Sequence, residues 1–227
     1  MTEPVVLSLP FTGRWLTQNS PARRVPSHGT DLMGTRYAID FVGVDDLRRT
    51  ATHTDWRTVL ATEPPDRYLG FGRPILAPVD GVIVATHDGE TDHAGRRSPF
   101  ALAGYALGQA GRLRAGVAAV AGNHVVVATR DREAVVALVH LRRGSLRVEV
   151  GDEVVTGQVL GECGNSGNST QPHVHLQAND RADLSVATAL PISFRPFREW
   201  TRGSSEPVVR PSGLPAEGSV VEALPLV

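Results

Sequence analysis

The sequence contains no lysine, and only one of its 227 residues is cysteine, Cys163. Arginine therefore supplies all of the basic side-chain charge, and the formal net charge of −1 leaves no basic excess to attract nucleic acid. A lone cysteine excludes a disulfide framework and a cysteine-rich metal site, so histidine and carboxylate would have to hold any metal. No apolar stretch approaches the roughly 18 residues of a membrane-spanning helix. We therefore expect no nucleic-acid partner and no membrane span, and the composition leaves the oligomeric state undefined.

The N-terminal segment "MTEPVVLSLPFTGRW" has neither a basic region nor a long apolar core, so we expect no secretory signal there. An apolar fraction of 41% is typical of a soluble globular protein, and the length suits one well-buried domain or two small ones. As written, the sequence predicts a cytoplasmic protein. The cell envelope is the alternative if the natural chain is longer or is exported by another route.

Strand signals dominate the sequence. The β-branched runs "GVIVAT", "HVVVAT" and "AVVALVHL" are bounded by turn residues, and "RDRE" between the last two predicts a hairpin. Residues 145–163 predict three short strands separated by "GD" and "TG", and "HVHLQAND" predicts the final strand of the series. Many short strands of this kind favour a mainly β, antiparallel fold.

Two stretches without strand alternation predict insertions over the β scaffold. Residues 44–73 are polar, and residues 91–121 include an Ala/Leu-rich part with loosely helical spacing. Residues 201–227 are rich in Gly, Pro and Ser, which predicts a loosely packed C-terminal extension with room for one added strand. The predicted organisation is thus one domain over residues 1–200, followed by that extension.

The motif "PHVH" places His173 and His175 one residue apart. On an extended strand, successive side chains alternate between faces, so both imidazoles point the same way. Two imidazoles on one face can share a metal, or divide the work between a ligand and a general base. The alternative is two ordinary polar positions on a solvated sheet face.

Asp40 is the most informative carboxylate, because it lies within the apolar run "AIDFV" and a buried acid is costly unless it is paired or metal-bound. His140 ends another apolar run, and His28 lies in the turn-like "VPSHGTD". Two imidazoles and one carboxylate with an open fourth position are the ligand set of a catalytic zinc site. A bound water there is acidified towards a pKa of about 7, and further histidines can take its proton or stabilise an oxyanion.

Three stretches together resemble the LytM/lysostaphin-type zinc metallopeptidases: "GNHVVVAT", "LVHL" and "VEVGDEVVTGQVLGECGNSGNSTQPHVHLQ". That family has a strand ending in His-Leu, followed by a "VGxxVxxGQxLGxxGxSGxSTxPHxH" stretch that closes the site. The resemblance covers about residues 25–200 and is dense from Val148 to Gln177. It implies that His175 binds Zn²⁺, that His140 and His173 are the catalytic histidines, and that peptide bonds of bacterial peptidoglycan are hydrolysed.

The first half of the site departs from the family pattern. A histidine commonly stands four residues before the ligand aspartate, but this chain has Arg36 there, and a guanidinium cannot be a ligand. The nearest candidate is His28, twelve residues before Asp40, and a turn through "GTDLMGT" would bring the two together. Asp31 is the competing carboxylate. We favour Asp40 because its apolar strand context matches the family.

Two other families with partly similar motifs are excluded by single residues. Cupins carry an HxH pair but need a glutamate a few residues later, where this chain reads "LQAND". Lipoyl and biotinyl carrier domains resemble "GDEVVTGQVLGE" but need a lysine at the hairpin tip, and this chain has none.

The sequence therefore predicts an antiparallel two-sheet core of the LytM-like metallopeptidase (barrel-sandwich) type with two loop or helical insertions. The predicted ligands are His28, Asp40 and His175, and the predicted catalytic residues are His140 and His173. The predicted function is zinc-dependent endopeptidase action on peptidoglycan or related wall peptides through a metal-activated water. The alternative is a non-catalytic LytM-like module that binds wall fragments or a protein partner.

Overall fold

The computed structural model describes residues 3–98 and 116–225, and strands dominate this part of the chain. The strands are β1 (Val5–Leu7), β2 (Arg14–Gln18), β3 (Ile39–Gly43), β4 (Pro74–Leu76), β5 (Gly81–His87), β6 (Asn123–Thr129), β7 (Val135–Leu141), β8 (Glu153–Val154), β9 (Val159–Glu162), β10 (Val174–Asn179), β11 (Ala189–Leu190), β12 (Ile192–Phe194), β13 (Phe197–Trp200), β14 (Val208–Arg210) and β15 (Val220–Ala223). The helical elements are α1 (Trp56–Leu60), α2 (Val117–Ala121) and 3₁₀ turns at Leu32–Gly34 and Pro65–Arg67. Within the described ranges, no helix has the length and apolar character needed to cross a membrane. The predicted mainly β fold is confirmed.

Eleven strands form one large antiparallel sheet in the order β14-β13-β15-β2-β3-β10-β7-β6-β5-β8, with β11 paired to β10. Two further pairs form small sheets: β1 with β12, which is parallel, and β4 with β9, which is antiparallel. Side chains from both small sheets join the same hydrophobic core as β3, β7 and β10. The small sheets therefore pack on one face of the large sheet.

The centre of the large sheet is buried on both faces. In β10, Val174 and Leu176 enter the main core, whereas His175 and Gln177 are buried on the opposite face. A second apolar cluster, which includes Val139 of β7, covers part of that opposite face. The two-residue period of a strand thus separates the polar residues of β10 from its apolar ones.

Aromatic contacts in the core hold β3 in place. The ring of Phe41 meets Phe11 at a centroid distance of 5.0 Å and Phe194 at 5.7 Å, both edge to face. Such pairs contribute about 0.5–1.5 kcal/mol each beyond the area that they bury. Because Phe41 points into the core, its neighbour Asp40 points to the opposite face.

The predicted hairpin between β6 and β7 is confirmed, with Val127 paired to Val136. Two other strand predictions are wrong. The stretch 145–163 forms two strands rather than three, since residues 147–150 adopt no strand. β10 is not the last strand either, because five strands follow it.

The predicted insertions are described only in part. Residues 44–73 contain α1 and the second 3₁₀ turn, in keeping with their lack of strand alternation. Most of the Ala/Leu-rich part of 91–121 lies outside the described residues, and its described end forms the short helix α2.

The C-terminal segment is an integral part of the large sheet. β15 lies between β13 and β2 and hydrogen-bonds to both, with Val221 fully buried. The buried carboxylate of Glu199 in β13 accepts hydrogen bonds from Arg210 and from the backbone of Ala216, each at 2.7 Å. The expectation of a loosely packed extension is therefore wrong here, because Gly, Pro and Ser in the turns concealed two short strands. The domain boundary at residue 200 stays a prediction.

We expect Val221→Ala to lower the free energy of unfolding by about 2 kcal/mol, because it removes fully buried methyl groups. The matched control is Val209→Ala in the edge strand β14, where the side chain is 57% exposed. That change should cost less than about 0.5 kcal/mol. Urea unfolding followed by circular dichroism measures both, and equally small losses would contradict the close packing of β15.

Candidate metal and catalytic site

Asp40 and His175 lie directly opposite each other on the paired strands β3 and β10. Directly opposite residues share a face, so the register alone brings the carboxylate and the imidazole together. His175 Nδ1 lies 2.9 Å from Asp40 Oδ1, and both residues are buried. The structure thus places two of the three predicted ligands side by side.

His28 reaches this pair from the segment between β2 and β3. The chain turns back through Met33 and Gly34, both with positive φ, and a backbone hydrogen bond from Ser27 to Arg36 closes the loop at 3.0 Å. As a result, His28 Nε2 lies 3.1 Å from Asp40 Oδ2. This is the chain reversal that "GTDLMGT" predicted.

The competing carboxylate, Asp31, lies apart from this cluster. Its side chain is 62% exposed and accepts two hydrogen bonds from Arg36, at 2.8 and 3.0 Å. Arg36, which stands where the family commonly has a histidine, is thereby engaged at the surface. This geometry favours Asp40 over Asp31 as the ligand.

His28, Asp40 and His175 fit a metal ion. Their ligand atoms lie within 4.8 Å of one another, and no other such group occurs among residues 3–98 and 116–225. Asp40 Oδ1 is buried and accepts no hydrogen bond. A buried acceptor without a donor is costly, and a bound cation would satisfy it.

The hydrogen bonds of the two imidazoles direct their lone pairs at Asp40. His28 Nδ1 donates to Ser27 Oγ at 3.0 Å, because that hydroxyl gives its own hydrogen to a backbone carbonyl. His175 Nε2 donates to Gln177 Oε1 at 2.9 Å. In the neutral rings, His28 Nε2 and His175 Nδ1 therefore carry no hydrogen. Two nitrogen lone pairs and a carboxylate that converge in this way are arranged to share a cation.

The electrostatics keep Asp40 ionised. Burial raises the pKa of this carboxyl, but in the metal-free protein the charge interaction with His28 and His173 and a hydrogen bond with His175 outweigh it and hold the pKa well below its usual range. Asn19 Nδ2 also donates to Asp40 Oδ2 at 2.7 Å. Asp40 is therefore a carboxylate at neutral pH, which is the form that binds a cation.

A β-bulge aims His140 at the same face of the sheet. Val139 and His140 of β7 together lie opposite the single residue His124 of β6, and His140 has φ of 65°. A non-glycine residue held in this region stores strain of about 1–3 kcal/mol. Bulges that re-aim a side chain are common next to active sites. The bulge therefore directs the buried imidazole of His140 from the core strand β7 into this site.

His140 and His173 lie side by side, with ring centroids 4.7 Å apart. His140 Nδ1 donates to the carbonyl of Ser166 at 2.9 Å, and His173 Nδ1 donates to the carbonyl of Gln171 at 2.8 Å, with Ser169 Oγ also at 2.9 Å. Carbonyl oxygens only accept, so each neutral ring keeps its hydrogen on Nδ1 and leaves Nε2 free to take a proton. Burial lowers the pKa of His140 well below its usual value, which keeps its ring neutral.

The loop that carries these Nδ1 partners is braced by the predicted insertions. Several hydrogen bonds join residues 92–96 to this loop, including Asn165 N to Asp92 at 2.7 Å, His93 Nε2 to Gly167 O at 2.8 Å, and Arg96 N to Thr170 O at 2.6 Å. The next residue, Arg97, binds both carboxylate oxygens of the fully buried Glu63, at 2.6 and 2.8 Å. Both insertions thus support the backbone that orients His140 and His173.

Sequence reasoning did not identify the polar partners of the predicted site residues: Asn19, Ser27, Ser166, Ser169 and Gln177. Gln177 could have been identified from the sequence, because it lies two residues after His175 and therefore on the same face of β10. Asn19 and Ser27 carry no such signal, since their positions depend on how the chain returns before β3.

The comparisons with known proteins agree with the motif resemblance. The model of Peptidase family M23 matches residues 105–185, and this confirms the predicted resemblance to the LytM/lysostaphin type. The match covers less than half of the chain; it includes His140, His173 and His175 but neither His28 nor Asp40. It supports a peptidase role. No curated protein matches the sequence significantly.

Several solved structures are similar to this chain. The catalytic domain of the antimicrobial peptidase lysostaphin from Staphylococcus simulans is 20% identical, with 67% of this chain and 74% of that one covered and a TM-score of 0.38. A variant of the catalytic domain of EnpA, a prophage-encoded M23 protein of Enterococcus faecalis, is 17% identical, with 83% and 91% covered and a TM-score of 0.39. A zinc-containing peptidase from Vibrio cholerae is 16% identical, with 62% and 43% covered and a TM-score of 0.32.

We expect Asp40→Ala to abolish metal binding and Asp31→Ala to leave it intact, because only Asp40 lies beside both imidazoles. Elemental analysis of protein purified without chelators measures the metal content of each variant. Metal retained in Asp40→Ala but lost in Asp31→Ala would show that Asp31 is the ligand.

We also expect the metal-free protein to lose stability as the pH falls below about 6.5. The pKa of folded His140 is lowered, so the unfolded chain binds a proton that the folded chain does not. This stabilisation is therefore present above the unfolded pKa and lost on acidification, by up to about 1.4 kcal/mol per pH unit. The lowered pKa of Asp40 adds a loss of the same sign below its ordinary value of 3.8.

Urea unfolding at a series of pH values tests this dependence. His140→Asn should flatten the slope just below pH ~6.5, because asparagine tolerates positive φ and does not titrate there. If the free energy of unfolding of His140→Asn changes with pH as steeply as that of the wild type, groups other than His140 cause the pH dependence.

Proposed function

We propose that the protein is a zinc-dependent endopeptidase that hydrolyses peptide bonds of peptidoglycan or related wall peptides. The observation that carries this proposal is the convergence of three potential ligand atoms, from His28, Asp40 and His175, beside two further imidazoles. Two nitrogen ligands and one oxygen ligand match the donor set of a catalytic zinc site.

His28, Asp40 and His175 would hold the metal. Bound zinc supplies a Lewis acid that lowers the pKa of water and polarises a carbonyl. The three residues come from different segments, so the site forms only when β3, β10 and the loop before β3 have folded together. Their roles stay part of the proposal.

His140 and His173 would carry the proton transfers. As water adds to the scissile carbonyl carbon, the free Nε2 of one ring accepts the proton that the water gives up. That proton then passes to the amine nitrogen as the carbon–nitrogen bond breaks, which regenerates the neutral ring. The second ring donates towards the oxyanion when it is protonated. The hydrogen bonds at Nδ1 of both rings keep Nε2 directed at the site throughout.

The wall-peptide substrate rests on the motif resemblance. The dense stretch from Val148 to Gln177 is the part that resembles peptidoglycan hydrolases, and residues 105–185 match Peptidase family M23. A digest of peptidoglycan fragments, analysed by mass spectrometry, tests this substrate directly. Stoichiometric zinc without cleavage of any fragment would favour the non-catalytic wall-binding alternative.

We expect His173→Ala and His140→Ala to keep zinc but to lose activity by about 100- to 10,000-fold, as for the removal of a general acid or base. His175→Ala should lose the metal itself, because its Nδ1 is a proposed ligand atom. Zinc content and turnover, measured on the same preparations, separate the two classes. Zinc loss in His173→Ala with retention in His175→Ala would reverse the assignment, and normal turnover in both of the first two variants would exclude their catalytic role.

A further inference from the structure

Gln177 links the two segments that carry the proposed ligands. It is buried on β10, two residues after His175, and its Oε1 accepts the hydrogen of His175 Nε2 at 2.9 Å. Its Nε2 donates to the backbone carbonyl of Met33 at 2.8 Å and to Asn179 Oδ1 at 2.7 Å. The amide of Gln177 therefore accepts one hydrogen bond through its oxygen and donates two through its nitrogen.

The orientation of this amide is determined by a neighbouring group that can only accept hydrogen bonds. A backbone carbonyl only accepts hydrogen bonds, so the nitrogen of Gln177 must face Met33. The amide oxygen then faces His175, and since that oxygen also only accepts, His175 must carry its hydrogen on Nε2. In the neutral ring, the lone pair of His175 Nδ1 is consequently directed at Asp40 Oδ1, 2.9 Å away.

Asn179 extends the same chain of hydrogen bonds. Its Nδ2 donates to the carbonyl of Gly34 at 3.1 Å, which leaves its Oδ1 to accept from Gln177. A Cβ at position 34 would lie 1.9 Å from Asn179 Nδ2, and Gly34 has φ of 68°, so only glycine allows this approach. Met33 and Gly34 form the turn that returns the chain from His28 to β3. Gln177 and Asn179 thus clamp the His28 loop to the strand of His175.

We propose that Gln177 is a positioning residue that sets the proton of His175 and so determines the affinity of the site for zinc, without contacting the metal. This inference rests on the proposed zinc site. Groups that hydrogen-bond to a metal-binding histidine typically contribute 10- to 100-fold in metal affinity or activity. The competing explanation is that Gln177 is a buried amide that only stabilises the loop through Met33 and Asn179.

Two substitutions at position 177 separate these explanations. Gln177→Leu and Gln177→Glu both remove the donors to Met33 and Asn179, but only glutamate keeps an acceptor for His175 Nε2. We expect Gln177→Leu to bind zinc about 10- to 100-fold more weakly than the wild type, and Gln177→Glu to stay within a few-fold of it. Competition with a chromophoric chelator measures these dissociation constants without any activity assay.

Gln18→Leu is the matched control, because Gln18 is paired with Asp40 across β2 and β3 and makes no hydrogen bond to the described ligand side chains. Its zinc affinity should be unchanged. The melting temperature of each metal-free variant shows whether it folds, and Gln177→Met replaces Gln177→Leu if the latter does not.

The outcomes distinguish the inference from the function on which it rests. Equal weakening in the leucine and glutamate variants would overturn the role of the His175 hydrogen bond in favour of the loop clamp. Unchanged zinc affinity in Gln177→Leu would overturn the inference while leaving the zinc site intact. A wild-type protein that binds no zinc would overturn the proposed function itself.

Discussion

The register of β3 against β10 is the constraint on which the candidate site depends. It sets Asp40 opposite His175, and a slip of one residue would turn Asp40 into the aromatic core and Phe41 out towards the imidazoles. The edge-to-face contacts of Phe41 oppose such a slip. The core on one face of the sheet therefore fixes the chemistry on the other.

Burial makes this arrangement energetically costly as well as specific. Asp40 is almost fully buried, and one of its oxygens accepts no hydrogen bond, so the apolar surroundings that define its position also leave it unsatisfied. Nearby imidazoles hold its pKa well below the usual range, which means that protonation cannot relieve the carboxylate near neutral pH. The strain of His140 at φ of 65° adds to this local cost. Stability elsewhere, from the double-sided burial of the central strands, offsets it.

Sequence alone went furthest where local spacing determines geometry. His173 and His175 share a face because they lie one residue apart on a strand, and Asp40 was conspicuous because its neighbours are apolar. The bulge at His140 was not predictable, since it depends on pairing with a strand brought in from elsewhere. Non-local pairing also explains why the C-terminal strands were missed: β15 is four residues long, and its partners β13 and β2 lie at opposite ends of the chain.

Each of the four site histidines has one ring nitrogen engaged by an acceptor outside the cluster. The acceptors are Ser27 Oγ for His28, the carbonyls of Ser166 and Gln171 for His140 and His173, and Gln177 Oε1 for His175. The scaffold therefore determines which nitrogen of each neutral ring carries the hydrogen, and the other nitrogen of each ring points inward. When the rings are neutral, inward lone pairs beside a carboxylate repel one another, and a bound cation would remove that cost. A metal held by the proposed ligands would therefore couple its binding to folding, because the ion would complete the polar face of the sheet.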